Sequence, residues 1–277
     1  MSPVGLLMRF RILLLSSLMF LGVGCSTLKP SSSLASADGS SGKVLDPADE
    51  KTSCQTSYRD LSKNKAKPSG AAQPAGQAST PVDALYFCTK ASEKGDAQAQ
   101  LFLANMYENG MGVNKSQQEA TRWYKESAKG GLAEAQYKVG LMYGKGEGLA
   151  QDKSEATFWY RKAAEQGHKE AQFTMGYRYE FGKGVQQNYK EAIAWYLKAA
   201  EQSHASAQNY LGVMTSLGQG TPQNNIEAYK WFNLAAISGN KEYIANRDRM
   251  AKKLGASQLA EAQKLASDWA KKHNAQK

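Results

Sequence analysis

The sequence predicts an all-α fold, a right-handed α-solenoid of helix-turn-helix repeats with a disordered N-terminal tether. The first observation behind this prediction is a fixed period, because one pattern of residues recurs four times at intervals of 36 residues. A period of about 20 to 50 residues is typical of solenoids and propellers, in which each unit is stable only when it stacks on its neighbours. The second observation is helical periodicity inside the unit, which favours the solenoid.

Three landmarks define the repeat, and each recurs without insertion or deletion. They are Ala-Gln pairs beginning at Ala99, Ala135, Ala171 and Ala207, Gly-x-Gly turns beginning at Gly110, Gly146, Gly182 and Gly218, and aromatic pairs beginning at Trp123, Trp159, Trp195 and Trp231. Apolar residues such as Ala99, Leu103 and Met106 follow the spacing of one helical face. Each unit is therefore predicted to be two amphipathic helices joined by a tight turn in which glycine adopts a positive φ.

Each second helix has a sequence signal for its start. A residue able to accept a hydrogen bond is followed three positions later by Asp or Glu, as in a capping box. The predicted cap residues are Thr80, Ser116, Asp152, Asn188 and Asn224. Four residue types occupy this position, and the side chain of each can accept a hydrogen bond.

The N-terminal segment is typical of an exported bacterial lipoprotein. Two arginines precede an apolar run, residues 12–23, that is too short to span a bilayer. The sequence Leu-Gly-Val-Gly-Cys that ends at Cys25 resembles a lipobox, and Ser26 suggests sorting to the outer membrane. We expect a signal peptide over residues 1–24 and lipid attachment, including palmitate, at Cys25, on the periplasmic face of the outer membrane. An ordinary secretory signal is the alternative.

Residues 25–79 are predicted to be a lipidated flexible linker, because they are rich in Ser, Gly, Ala, Pro and Lys and show little periodicity. Besides Cys25, the chain has Cys54 and Cys88. In an oxidising periplasm such a pair favours a disulfide, which would fix residues 51–63 over the opening helix of the array. Two reduced cysteines are the alternative.

Residues 80–239 are predicted to hold half a repeat and four full repeats. The pattern from Ala-Gln to Gly-x-Gly, followed by Glu-Ala-x-x-Trp-Tyr-x-x-Ala-Ala-Glu-Gln-Gly, resembles the Sel-one-like repeat, a relative of the tetratricopeptide repeat. The fourth unit departs from it, since Thr215 replaces a tyrosine and Thr221 replaces Val or Leu, and looser packing is expected there. Residues 240–277 are predicted to form a helical C-terminal cap anchored by Trp269.

The sequence offers little support for catalysis, a cofactor or a metal. His168 and His204 share one repeat position at the start of a first helix, so we expect capping residues and no metal ligands. Ser-x-x-Lys spacings at residues 40–43 and 62–65 match penicillin-binding enzymes, but both fall in the predicted linker. A penicillin-interacting hydrolase is an alternative function, and a peptidoglycan-binding structural protein is another. Despite a net charge of +10, nucleic acid is not expected for an exported protein.

The lipobox-like segment and the repeat resemblance together lead us to expect a membrane-anchored scaffold or adaptor of the bacterial envelope. By resemblance to tetratricopeptide arrays, it would bind a protein or peptide partner on the concave face. Along the first helices, one stripe changes from polar to apolar residues toward the C-terminus. The predicted partner-binding residues are Tyr177, Phe181, Tyr210, Val213 and Leu217. Aromatic side chains supply most of the binding energy at interface centres. For Phe181, Val213 and Leu217, packing against neighbouring helices is the alternative.

Overall fold

The structure, a computed structural model, describes residues 47–64 and 81–274. Within these ranges the chain forms twelve α-helices and no strand, which confirms the predicted all-α solenoid. The helices are α1 (Pro47–Asn64), α2 (Pro81–Glu93), α3 (Ala97–Asn109), α4 (Gln117–Lys129), α5 (Ala133–Lys145), α6 (Lys153–Glu165), α7 (Lys169–Phe181), α8 (Tyr189–Glu201), α9 (Ala205–Leu217), α10 (Asn225–Ala236), α11 (Lys241–Ala251) and α12 (Ala256–Asn274).

The full repeats are the helical hairpins α3–α4, α5–α6, α7–α8 and α9–α10, and each hairpin packs on the next. The first helices supply small and flexible apolar residues to the core between hairpins. Leu103, Met175 and Leu211 are at most 2% exposed. Burying such a side chain stabilises the fold by about 1.5–3 kcal/mol, and a hairpin obtains this only from its neighbours.

The recurring Ala-Gln pair has a structural role at the junction between repeats. The Gln136 amide donates to the backbone carbonyl of Ala128 at the end of α4, and Gln172 does the same to Ala164 at the end of α6, at 3.2 and 3.1 Å. Each of these carbonyls lies at the end of its helix and also accepts from a backbone N–H of the following turn. Gln166 also donates to Gln136 Oε1 at 2.7 Å, which links successive junctions. The glutamine therefore ties each first helix to the preceding second helix.

The predicted turns and helix starts are confirmed. Gly110, Gly146, Gly182 and Gly218 adopt the left-handed conformation at the ends of the first helices, with φ of 68°, 76°, 64° and 72°. The side chains of Ser116, Asp152, Asn188 and Asn224 accept hydrogen bonds from backbone N–H groups in the first turn of the second helices. The position of Thr80 lies outside the described residues.

Glycines inside the first helices let an aromatic ring of the second helix approach the helix backbone. A Cβ atom at Gly176 would lie 2.5 Å from Cδ1 of Tyr196, and a Cβ at Gly140 would lie 2.7 Å from the Tyr160 ring. Neither ring has room to retreat, because Tyr196 and Tyr160 are at most 4% exposed. These glycines therefore fix the separation between the two helices of a hairpin.

The prediction of a flexible linker through residue 79 is wrong for residues 47–64, which form α1 and pack against α2. The expectation that residues 51–63 cover the opening helix agrees with this packing. Cys54, Tyr58 and Leu61 share one helical face at i, i+4 and i+7, and this narrow face covers α2 and α3. The rest of the segment is polar, and for this reason the sequence did not predict a helix there. Cys54 and Cys88 are fully buried and joined by a disulfide, with their Cα atoms 4.6 Å apart.

The C-terminal helices α11 and α12 both pack against α10, where the repeats end. Trp269 of α12 meets Trp231 of α10 in an edge-to-face arrangement with ring centroids 4.8 Å apart. Two helices were expected after residue 240 with Trp269 as their anchor, and the structure has both. They cover apolar surface that a fifth repeat would otherwise cover.

The predicted signal peptide of residues 1–24, the lipid site Cys25, and linker residues 26–46 and 65–79 lie outside the described residues. Within the described residues, none of the helices combines the length and the apolar character required to cross a bilayer.

Candidate partner-binding face

Three of the five predicted partner-binding residues lie together on the first helices of the third and fourth repeats. Tyr177 and Phe181 of α7 have ring centroids 4.6 Å apart, and Tyr177 meets Tyr210 of α9 edge-to-face at 6.2 Å. Such geometries are favourable for aromatic pairs. We call Tyr177, Phe181 and Tyr210 the aromatic cluster.

The three rings differ in how much of them a partner could touch. Phe181 is 49% exposed, whereas Tyr177 and Tyr210 are half-buried. Tyr210 also packs on Tyr196 and Phe173, with centroid distances of 5.4 and 5.7 Å. Phe181 is therefore the most available contact, and Tyr210 contributes to the core as well as to the face.

A single cation lies beside the aromatic cluster, in the turn that follows α7. Lys183 Nζ is 4.5 Å from the Tyr177 ring centroid and donates to the Tyr177 hydroxyl at 2.9 Å. It is 6.0 Å from the centroid of Phe181. A cation over a ring at an exposed site contributes about 0.5–1 kcal/mol. The surface thus offers apolar rings with a hydrogen-bond donor at their edge.

A buried carboxyl group lies one ring away from the aromatic cluster. Tyr196, which contacts Tyr210, donates a 2.7 Å hydrogen bond to Glu180 Oε2, and Glu180 is only 6% exposed. Burial raises the pKa of Glu180 above its ordinary value, although the bond from Tyr196 opposes this. Burial and the adjacent carboxyl group also raise the pKa of Tyr196, so its phenol stays neutral.

The remaining two predicted residues, Val213 and Leu217, follow Tyr210 along α9. Val213 and Leu217 line a cavity of about 170 Å³ between α9 and α11, with Phe232 and Met250 on its other side. Val213 packs on the core residues Phe232 and Met250, while Leu217 is 63% exposed. Val213 therefore has a packing role, and the exposed side chain of Leu217 remains a candidate contact.

A polar cluster occupies the corresponding helix positions in the first and second repeats. The Tyr124 hydroxyl lies 2.6 Å from Asn105 Oδ1 and 2.8 Å from Glu108 Oε2. Because it has one proton, it donates to only one of these acceptors at a time. Lys138 Nζ lies 3.7 Å from Glu108 and 5.8 Å from the Tyr124 ring centroid. The face therefore changes from charged and polar at one end to aromatic at the other.

The sequence interpretation missed the carboxyl–tyrosine pairs of this face. Glu108 and Glu180 occupy the same repeat position, two periods apart, and each bonds the tyrosine that lies 16 residues later. Gly144 and Ser216 occupy this position in the other two repeats. The available signal in the sequence was a glutamate that occupies this position in every second repeat.

Both repeat histidines cap first helices, as predicted. His168 Nδ1 accepts from Ala171 N, and His168 Nε2 lies 2.9 Å from Glu134 Oε2. The hydrogen bond from His168 lowers the pKa of Glu134. His204 caps α9 in the same way, and burial lowers its pKa.

The described residues contain no group of three His, Cys, Asp or Glu side chains placed to hold a metal ion. Of the two Ser-x-x-Lys spacings, residues 40–43 lie outside the described part of the chain, as does the lysine at position 65. The hydroxyl of Ser62 donates to the backbone carbonyl of Arg59 at 2.8 Å, within α1.

The repeats match a known family along more than half of the chain. The model of the Sel1 repeat matches residues 97–132, 133–168, 169–204 and 205–240. The chain belongs to the Sel1 repeat family. The four matches meet end to end, so the 36-residue period predicted from the sequence is the period of the family. Proteins with Sel1 repeats typically mediate protein–protein interactions and are generally non-catalytic scaffolds.

Solved structures show the same fold. One is c5321, a protective antigen of uropathogenic Escherichia coli with an SLR fold, which is 31% identical, matches over 82% of this chain and 48% of its own, and has a TM-score of 0.66. This Sel1 repeat chain thus spans about half the length of c5321. A Sel1 repeat protein from Oxalobacter formigenes is 32% identical over 65% of this chain and 78% of its own, with a TM-score of 0.56. A comparison with curated protein sequences found no match.

Proposed function

We propose that this Sel1 repeat protein is a membrane-anchored scaffold or adaptor of the bacterial envelope that binds a protein or peptide partner on the concave face of its solenoid. The observation that carries this proposal is the aromatic cluster. The Tyr177 ring contacts the other two rings across two adjacent first helices, and Phe181 leaves 49% of its surface accessible.

The chemistry of the aromatic cluster suits a peptide better than a small polar molecule. Aromatic rings bury a large area and lose little conformational entropy on binding, and they dominate binding energy when they lie at the centre of an interface. Lys183 adds a donor that could bond a backbone carbonyl or a carboxylate of the partner. The partner segment that complements this surface therefore has an apolar side chain next to a hydrogen-bond acceptor.

The envelope location rests on the sequence and is supported by one structural feature. The resemblance of the residues before Cys25 to a lipobox favours lipid attachment there and anchoring at the periplasmic face of the outer membrane. The disulfide between Cys54 and Cys88 supports export, because such bonds persist in oxidising compartments and are rare in the cytosol.

A matched pair of substitutions tests the proposed binding face. Phe181→Ser removes the exposed ring of the aromatic cluster, whereas Phe158→Ser removes a ring of nearly equal exposure, 48%, from α6. In a cross-linking pull-down from intact envelopes, we expect Phe181→Ser to lower capture of the partner at least about tenfold, which corresponds to the loss of one hot-spot residue, and Phe158→Ser to leave it unchanged. Equal capture by both variants would refute the proposed face. Capture of peptidoglycan alone would favour a cell-wall-binding protein.

A further inference from the structure

The fourth repeat lacks a tyrosine that is partly buried in each of the other three repeats. Tyr107, Tyr143 and Tyr179 occupy this position, and Thr215 takes their place in α9. In the third repeat the Tyr179 ring packs with Trp195 of α8, and the Tyr179 hydroxyl accepts a 2.9 Å hydrogen bond from Arg161 of α6. The ring therefore joins the second helices of two successive repeats.

A cavity of about 370 Å³ stands at the equivalent place in the fourth repeat. Leu197 and Trp231 in its lining are the counterparts, one period later, of Arg161 and Trp195, which lie against Tyr179. The lining also includes Ile193 of α8, Leu211 and Thr215 of α9, and Thr221, Pro222 and Gln223 of the following turn. Leu211 and Trp231 are 2% and 3% exposed, so the floor of the cavity is a packed apolar surface.

Two further changes accompany the loss of the tyrosine. Leu197 replaces Arg161, which removes the donor for a phenolic hydroxyl, and Thr221 replaces the valine or leucine that stands beside the tyrosine in the other repeats. The cavity lies where the third repeat holds the Tyr179 ring, but it lacks the guanidinium that bonds the Tyr179 hydroxyl. At its rim, Asn224 and Glu227 supply polar atoms of the kind that surrounds an apolar anchor in protein interfaces.

We propose that this cavity binds a phenylalanine side chain of a partner peptide. The neighbouring repeats provide the template, since each seats its own aromatic ring at this position. The volume falls within the range of small-ligand sites, which are mostly apolar with a few polar groups. The cavity is lined by α8, α9, α10 and the turn before α10, and it contains none of the rings of the aromatic cluster, so it is a separate site. The inference rests on the proposed function only in taking the ligand to be a peptide.

The first test is a titration of the full-length chain with N-acetyl-phenylalaninamide, followed through the NMR signals of the Ile193, Leu197 and Leu211 methyl groups. We expect saturable shifts of these signals. We expect N-acetyl-tyrosinamide to bind about tenfold more weakly, because its hydroxyl would meet the apolar side chain of Leu197 where Arg161 donates to Tyr179. No shift with the phenylalanine probe, or equal binding of the two probes, would overturn the proposal.

Variants of the cavity give the second test. Thr215→Tyr restores the ring from within the chain and should abolish the shifts, whereas Thr215→Ser keeps the cavity and should preserve them. Leu197→Phe fills the cavity from α8 and serves as a second blocking variant if Thr215→Tyr does not fold. Unchanged binding by a folded blocking variant would show that the probe binds elsewhere and would overturn the proposal.

Discussion

The hydroxyl of Tyr196 donates a 2.7 Å hydrogen bond to Glu180, a carboxyl group that the fold leaves only 6% exposed. The same relationship joins Tyr124 to Glu108 two repeats earlier. In both cases the tyrosine ring packs on the first helix, and its hydroxyl reaches the end of that helix. The hydrogen bond offsets part of the cost of burying the carboxyl group.

Replacing Glu180 by Gln is expected to stabilise the protein at neutral pH. Burial raises the pKa of Glu180 above its ordinary value of 4.5, so ionisation costs more in the folded than in the unfolded chain. The stability associated with the protonated carboxyl is fully present below pH 4.5 and is lost as the pH rises through the raised folded pKa. The advantage of the Gln variant should therefore be largest at pH 7 and vanish in acid.

Thermal unfolding of both proteins between pH 4 and pH 8 checks this prediction, with Glu165→Gln as the control on an exposed carboxylate. A Gln variant that is less stable at pH 7 would show that the bond from Tyr196 to the ionised carboxylate outweighs the cost of burial.

Gly176→Ala is expected to destabilise the fold by about 1–3 kcal/mol, because overpacking a filled core forces neighbours to move. The new Cβ would lie 2.5 Å from the buried ring of Tyr196. Gly144→Ala is the matched control in another first helix, where the nearest atom is the Tyr160 hydroxyl at 3.2 Å, and Ala is the better helix former. Denaturant unfolding measures both, and equal stability of the two variants would contradict the proposed role of Gly176.

The regular features of the fold followed from the sequence because they are local and repeated. The glycine turns, the caps of the second helices and the capping histidines each depend on a few neighbouring residues. The position of residues 51–63 over α2 was expected, but their helical form was not, because the apolar face of α1 is narrow and needs α2 to cover it. Cys54, Tyr58 and Leu61 gain stability only from that tertiary contact.

The sequence predicted only part of the candidate site. The shared stripe correctly placed Tyr177, Phe181 and Tyr210 together, since helical spacing fixes one face. It could not show that α11 would pack against Val213, because α11 lies outside the repeat pattern. Burial of Glu180 was equally hidden, since it results from the surrounding helices and not from local sequence.

The disulfide is expected to stabilise α1 against α2. Closing the loop between Cys54 and Cys88 contributes about 3–4 kcal/mol in the chain-entropy model. The double variant Cys54→Ser, Cys88→Ser should lose hydrogen-exchange protection in α1 while the α7–α8 hairpin keeps it. Mass spectrometry of unreduced peptides from native envelopes should show the linked pair, and two free thiols there would exclude it.

Lipid attachment at Cys25 is expected to determine membrane association. Cells grown with labelled palmitate should incorporate the label into the native chain, which should sediment with membranes, because acyl chains add about 0.8 kcal/mol per buried methylene. Cys25→Ser should remain an unlabelled precursor. The variant Cys54→Ser controls for loss of a thiol, and absence of label from the native chain would rule out the lipoprotein.

Site-specific photo-cross-linking at position 181 is the most direct test of partner binding by the aromatic cluster. A photoreactive phenylalanine analogue replaces Phe181 in one strain and Phe158, a ring of similar exposure on α6, in another. Because the reagent reacts only with atoms that it touches, irradiation of intact cells should give a discrete protein adduct from position 181 and none from position 158. Absence of an adduct at position 181, or the same adducts at both positions, would contradict the account.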